Sequence, residues 1–571
     1  MNNKEIAAVL DEIAVLLELA GENPFKARSY SNVARQIEQL EEPIEVLVAE
    51  KRLRTIKGVG EALEEKITEL VNTGRLSYLE ALRSKFPETL LELFAIPGLG
   101  AKRIKTLYEE LGISSLGELE YACNENRLLT LNRFGPKIQK NVLEGIAFLK
   151  RGRGLHLFST AYEAASCLLE HLKKEKGLIR IEIAGSLRRR KEVVKDIDIV
   201  ASARDSTSLM ERFVSFEAVE KVVARGDTKS SIMLKSGINA DLRVVSDLEF
   251  PYALHHFTGS KEHNIAMRQR AKDRGLKMNE YGLFRGDENI LCKDEAEIFA
   301  QLDLPFIPPE LREDMGELEV SDLPRLVERS DLLGVFHCHT SYSDGIASVE
   351  EMAQAAVKRG FRYIVIADHS KSAGYAGGLS ESAVAEQAKE IAAVNKKLKS
   401  FRVFHGIESD IRADGSLDYS EDVLSVFEIV IASIHTKLNM TMEEATSRVI
   451  KAIENPYTAV LGHPTGRLLL SREGYPLDME RVFDACVEHD VAVEINANPH
   501  RLDMDWRHIR RGKEKGVRFC ISPDAHNAEA LNDIDYGVGI ARKGWLEARD
   551  ILNCWTVEEL ERWLCAKRAR R

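Results

Sequence analysis

The stretch RIEIAGSLRRRKEVVKDIDIVAS, residues 180–202, holds two strand-like runs around a glycine turn and a basic cluster. IEIA and DIDIVA read as strands, and two-residue alternation sets Asp196 and Asp198 on one face of the second. Carboxylates about 4 Å apart repel by roughly 4 kcal/mol at an effective dielectric of about 20, so a cation belongs between them, and magnesium is the obvious candidate. Gly185 and Ser186, ahead of the cluster Arg188 to Lys191, offer backbone, hydroxyl and guanidinium groups to a triphosphate. A solvated face would account for the basic run alone, but not for its place between a Gly-Ser turn and an Asp-x-Asp strand. A third carboxylate follows in SSIMLKSGINADLRVV, residues 230–245, where Asp241 begins or lies within a strand that can pair beside the first.

Upstream, TIKGVGEALEEKITEL (residues 55–70) places Gly58 and Gly60 before an amphipathic helix, and AIPGLGAKRIKTLYEEL (95–111) repeats the plan with Gly98 and Gly100. LNRFGPKIQKNVLEGI (131–146) is a weaker third copy. Glycine lets the backbone approach a phosphate, whose charge the following helix N-terminus favours. One such turn is ordinarily a helix cap. Repeated, it resembles the helix-hairpin-helix module, which grips the DNA backbone without reading bases.

At 571 residues the chain exceeds one hydrophobic core and is expected to hold three to five units. Hydrophobic content of 44% and charged content of 30% are ordinary for soluble globular protein. No stretch approaches a membrane span, and the start MNNKEIAAVLDEIAVLLELAGENPF is amphipathic rather than a signal peptide, so a cytoplasmic protein is expected. Eight cysteines without a CxxC pair argue against a disulfide framework and a zinc knuckle. The net charge of −11 speaks only weakly against a nucleic-acid partner, because carboxylates around metal ions mask a local basic surface. Five histidines precede residue 334 and ten follow it, as if two parts do different chemistry.

Over residues 1 to 315 the sequence resembles the family X DNA polymerases, on Gly58 to Gly60, GSLRRR (185–190), DID (196–198), FTGS (257–260) and NEY (279–281). The resemblance implies an N-terminal helical, lyase-like DNA-binding domain (1–80), a helix-hairpin-helix fingers-like domain (81–150), a nucleotidyltransferase palm with a mixed sheet (151–245) and a nucleotide-selecting subdomain (246–315). It makes Asp196 and Asp198 ligands of two Mg2+ or Mn2+ ions, and Asp241 the residue that helps activate the primer 3′-hydroxyl. Gly185, Ser186 and Arg189 become triphosphate contacts, Asn264 and Arg268 readers of the nascent pair, and Gly58, Gly60, Gly98 and Gly100 DNA contacts. His256 departs from the tyrosine of vertebrate relatives, and Asn239 from an arginine. Lys66 aligns with a lyase lysine that forms a Schiff base, an amine that must lose its proton. Glu64 and Glu65 beside it, and Ala62 in place of a companion lysine, work against that role.

After an acidic connection, with a linker expected at 316–333, strands and helices alternate through YIVIADHS, FRVFHGIES, IVIASIHT, AVLGHPTG, VAVEINAN and RFCISPDAH. That alternation predicts a parallel α/β arrangement closed into a barrel. His369, Glu408, His435, His463, Asp524 and His526 each end an apolar run, where barrel active sites lie. FHCHTSYSDG (336–345) adds His337, His339 and Asp344, with the two histidines expected on one strand face. Nine such groups are too many for one ion. His489, His500 and His508 fall outside the pattern.

Residues 334 to about 545 resemble the polymerase and histidinol phosphatase, or PHP, domain, a distorted (β/α)7 barrel, and the domain is expected over 334–571. The resemblance implies up to three ions: one on His337, His339, Glu408 and Asp524, a second on Glu408, His435 and His463, and a third on Asp344, His369 and His526. Mixed imidazole and carboxylate ligation suits Mn2+, Zn2+ or Fe2+. The whole is multidomain, α+β and α/β. A gap-filling base excision repair polymerase follows, acting on gapped or primed duplex DNA with dNTPs as a monomer, its PHP site trimming 3′ ends. The alternatives are a nucleotidyltransferase fused to a small-molecule phosphatase, and a DNA-binding scaffold without activity.

Overall fold

The computed structural model describes residues 3–569 apart from 39, 41, 97, 133 and 151–153. Packing divides the chain into two compact units, Met1–Leu149 and Lys150–Arg571.

The described residues of the first unit are helices and turns. A short 3-10 turn leads into a longer helix three times: Leu53–Thr55 into Glu61–Thr73, Glu88–Ala95 into Ala101–Leu111, and Arg127–Thr130 into Pro136–Lys150. In the first copy Gly58 takes a φ of +98°, which side chains rarely adopt, and Gly60 precedes the helix in extended backbone. Leu63, Ile67 and Leu70 share one face and are buried, and the helix stops at left-handed Gly74. The second copy repeats this with Gly98, Gly100, buried Ile104 and Leu107, and Gly112.

In the second unit, a five-stranded sheet runs Leu178–Ile183, Asp196–Ala203, Asn239–Val245, Lys229–Leu234, Val219–Arg225. It is mixed: the Asp196 and Asn239 strands pair in parallel, and the other pairings are antiparallel. Phe158–Leu172 and Ser206–Val214 bury Leu168, Leu172, Leu209 and Phe213 in one core with Ile197, Ile199 and Leu242 of the sheet. Phe250–Thr258 packs on Val200. Beyond it, Lys261–Asp273, a three-stranded antiparallel sheet and Glu295–Gln301 enclose a separate core around Met267, Ile298 and Phe299.

Seven parallel strands follow in chain order: Gly334–Cys338, Tyr363–Ile366, Arg402–Asp410, Ile429–Ser433, Thr458–Leu461, Ala492–Asn496 and Phe519–Ser522. All are buried along nearly their whole length, as parallel strands covered by crossover helices must be. The ring nearly closes where the His339 amide donates to the Ala525 carbonyl at 2.8 Å. The acidic stretch 308–334 is lightly structured, with 3-10 turns at Pro309–Leu311 and Arg329–Asp331 before the strand that opens at Gly334, but it is packed rather than free. Arg312 and Glu317 are fully buried, one bonded to Glu295 at 2.5 Å and the other to His263 at 2.8 Å. Among the described residues no helix is long and apolar enough to cross a membrane.

Candidate metal centres

Parallel register sets Asp198 directly opposite Asp241, with Asp196 two residues before Asp198 on the same face. Burial, then the charges of Asp196 and Asp241, push the Asp198 carboxyl up to about 6, so the group is poised to trade a proton for a cation. Lys229 stands 2.6 Å from Asp241. Gly185, at φ +63°, lies against the same carboxylate: a Cβ there would come within 2.2 Å of Asp198 Oδ2. Ser186 follows in the one-turn helix Gly185–Arg188.

The basic cluster is engaged by the protein itself. Arg188 pairs with Glu295 at 2.6 Å, Arg189 meets Glu313 at 3.1 Å, and Arg190 lies over the rings of Phe158 and Tyr162. Any further anion reaching Arg189 would compete with a carboxylate already in place. Asn264 donates to the His256 carbonyl at 2.7 Å and Arg268 lies 3.4 Å from the His256 ring, so these three form one cluster. Burial lowers the His256 imidazole pKa. Asn239 is exposed opposite Asp196. In the helical unit Lys66 donates to the Ala62 carbonyl at 3.1 Å and rests over the Tyr78 ring, while Glu64 is held by Arg54.

The barrel gathers all nine expected side chains. Glu408 is the hub, 3.3 Å from His337, 3.9 Å from His339, 2.8 Å from His369, 3.2 Å from His435 and 2.9 Å from His463. Asp524 approaches His339 at 3.1 Å and His337 at 3.8 Å. Asp344 lies 3.4 Å from His369 and 3.3 Å from His526. Among the described residues of the barrel, three groups have donor atoms close enough to hold an ion: His339, Asp344, His369 and His526; His337, His339 and Asp524; and His369, Glu408 and His435. His369 thus reaches both Asp344 and Glu408.

The expected strand alternation at His337 and His339 is interrupted. Pairing shifts register between Val335 and Cys338, and His337 takes a φ of 54°. His463 and Asp524 are also left-handed, at φ 21° and 53°. Non-glycine residues held there cost on the order of 1–3 kcal/mol each, which is tolerated where aim matters more than local comfort. Three residues that the sequence reading passed over supply that aim. Glu494 accepts from His337 Nδ1 and from the His463 amide, both at 2.6 Å. Asp410 holds His435 Nδ1 at 2.6 Å. Asp368 binds Thr340, Ser343 and Gln387, fixing the loop before Asp344. Asp410 carried a signal, two residues beyond Glu408 in the same strand; Glu494, alone in an apolar strand, carried almost none.

Divalent ions fit this donor set. His337 Nε2, His339 Nδ1 and His369 Nε2 are buried with no hydrogen bond among the described residues, an arrangement that is costly unless a cation completes it. Burial would push the His337 imidazole down, but the charges of Glu494, Glu408 and Asp524 outweigh it and raise its pKa well above the usual range. The same balance holds Glu408 and Asp524 well below the usual carboxylate range: burial opposes ionisation and the neighbouring imidazoles overcome it. The clustered histidines and acids are consistent with a multi-metal site.

Residues 253–313 match the DNA polymerase beta thumb and 336–498 the PHP domain, while 1–76 match a helix-hairpin-helix domain and 90–147 a SAM-like helix-hairpin-helix tandem. The chain is therefore a nucleotide-polymerising enzyme joined to a metal-dependent phosphoesterase. It is 38% identical over 571 residues to the DNA polymerase/3'-5' exonuclease PolX of Bacillus subtilis strain 168, covering 99% of both chains. The chain belongs to the family X DNA polymerases that carry a C-terminal PHP domain. Shorter likenesses reach proteins named probable phosphatase: 31% over 199 residues in Caldicellulosiruptor bescii, 33% of this chain and 78% of that one, and 27% over 257 residues in Caldanaerobacter subterraneus subsp. tengcongensis, 41% and 91%.

Proposed function

We propose that this polymerase fills short gaps in duplex DNA, adding dNTPs to a primer end at Asp196, Asp198 and Asp241, and that its barrel removes nucleotides from 3′ ends. The observation that carries the first half is the register that crowds three carboxylates at one end of two parallel strands, one of them raised to about 6. Mg2+ or Mn2+ bound there supplies the charge that steadies the attacking and leaving oxygens of an in-line displacement. Asp241 faces the primer hydroxyl and accepts its proton, Gly185 leaves room for the Asp198 carboxylate, and Ser186 and Arg189 receive the triphosphate. Asn264 and Arg268, gathered on His256, read the minor-groove side of the nascent pair. Gly58, Gly60, Gly98 and Gly100 bring backbone amides to DNA phosphates.

In the barrel we assign up to three Mn2+, Zn2+ or Fe2+ to the nine ligands, with Glu408 shared between ions. Glu494 and Asp410 hold the His337 and His435 rings in the tautomer and orientation that ligation needs, and Glu494 also fixes the backbone that carries His463. A second reading, phosphate-monoester hydrolysis, is favoured by the likeness to proteins named phosphatase. We retain the division at 80, 150, 245, 315 and 333, and a monomer in the cytoplasm, as part of the proposal.

The test is a gapped duplex with a 5′-labelled primer, incubated with and without dNTPs across Mg2+ and Mn2+. Extension with nucleotides and stepwise shortening without them are expected. Release of inorganic phosphate from a 3′-phosphate primer with no shortening would favour the monoesterase.

A further inference from the structure

The helix Ile534–Lys543, which belongs to the barrel, lies against the loop that carries GSLRRR. Three positions on it make the contact, spaced three and four residues apart and so on one face. Tyr536 sets its ring edge-on to Phe158 with centroids 5.9 Å apart. Gly539 lies under Arg190, where a Cβ would come within 3.2 Å of Arg190 Cδ. Lys543 reaches furthest: its ammonium donates to the Arg189 carbonyl at 3.0 Å, the Glu310 carbonyl at 3.2 Å and the Glu313 carboxylate at 2.5 Å. At 1% exposure it is almost wholly out of water, with its charge 4.4 Å from the Trp506 ring.

Glu313 is the shared member. The oxygen that Lys543 binds also accepts from Arg189 Nε at 3.1 Å, and its other oxygen is 3.8 Å from Lys191. One carboxylate is thus divided between a barrel lysine and the arginine assigned to the triphosphate. In so buried a setting, the share that Lys543 takes decides how much attraction Glu313 has left for Arg189. A neighbouring seam fixes the same loop a second way: Glu192 lies 3.3 Å from Arg507, in the first turn of the helix Trp506–Lys515, and 3.7 Å from Arg467 on a barrel loop.

We propose that Lys543 is a positioning residue for nucleotide binding: by drawing on Glu313, the barrel keeps Arg189 available to the incoming triphosphate. The proposal rests on the assignment of Arg189 as a triphosphate contact. Without Lys543, Glu313 turns its whole charge on Arg189 and Lys191, and the triphosphate competes with a stronger rival. With Lys543 removed and Glu313→Gln in place, Arg189 keeps the Thr258 carbonyl, which it meets at 2.5 Å, faces a neutral amide in place of the carboxylate, and is freer than in the parent.

The measurement is the dissociation constant of the templated dNTP from the full chain bound to gapped duplex DNA whose primer ends in a dideoxynucleotide, so that no turnover intervenes. Lys543→Met is expected to bind dNTP about tenfold more weakly, and Lys543→Met with Glu313→Gln about threefold more tightly than the parent. Both are expected to shorten 3′ ends at the parental rate. The double variant replaces the pair by neutral groups of similar shape, so it carries the test alone if the single variant does not fold. Arg189→Gln is the control: unchanged dNTP affinity there overturns the assignment of Arg189. With that assignment standing, weaker binding or no change in the double variant overturns the role of Lys543.

Discussion

Glu408 faces five imidazoles contributed by four different segments of the barrel, a placement from which it would neutralise charge on more than one ion at a time. Glu408→Gln is expected to lower 3′ shortening at least as far as His369→Ala does, to release more than one metal equivalent on elemental analysis, and to leave extension intact. Retained metal with the parental shortening rate would rule out a shared ligand. At the other site, Gly185→Ala forces a methyl group toward Asp198 in backbone that already disfavours it. Extension is expected to fall on the order of 10²-fold, as for a catalytic group misplaced by about 1 Å, without loss of shortening. Most of these residues were legible in the sequence because each acid or histidine ends an apolar run. Their supports were not, since a lone Glu494 in a buried strand looks the same whether it orients a ligand or merely finds a partner.

At the scale of elements, the helix Glu295–Gln301 is tied to the segment after it by a buried charge cluster. Arg188 and Arg312 both bind Glu295, and against the cost of burial their charges hold its carboxyl down to about 2. A depressed carboxyl contributes stability that is present above its unfolded pKa, near 4.5, and is lost as pH falls toward 2. Glu295→Gln is expected to cost about 3 kcal/mol at neutral pH, with the gap to the parent narrowing between those two values, as read from denaturant midpoints at a series of pH. A constant gap across that range would disprove the assignment. This cluster also explains why the packing of the 308–334 stretch was not legible. Its charges pattern like a solvated connection, and their partners Glu295 and His263 lie too far back in the chain for local pattern to reveal. The strand order of the barrel was legible, because apolar runs recur with charged helical stretches between them. The bulge before His337 was not, for it answers to what the neighbouring strands need.

At the scale of the molecule, the proposed function assigns two sets of acids to two reactions. Alanine at both Asp196 and Asp198 is expected to reduce extension on the order of 10³-fold or more, while shortening of the same labelled primer proceeds at the parental rate. Parallel loss of both activities would mean that the palm acids also serve the barrel. Within the barrel the ligands come from both ends of a long segment: His339 and Asp524 meet 3.1 Å apart across 185 residues of sequence. A ribosome adding about 5–20 residues per second needs roughly 10–40 s to supply the second after the first. For that interval the nascent chain carries half a chelate and unpaired strands, and no ion can yet join its ends. An ion held between His339 and Asp524 would therefore be captured late in synthesis and would tie the first strand to the last, so that its withdrawal would loosen the ring at its seam.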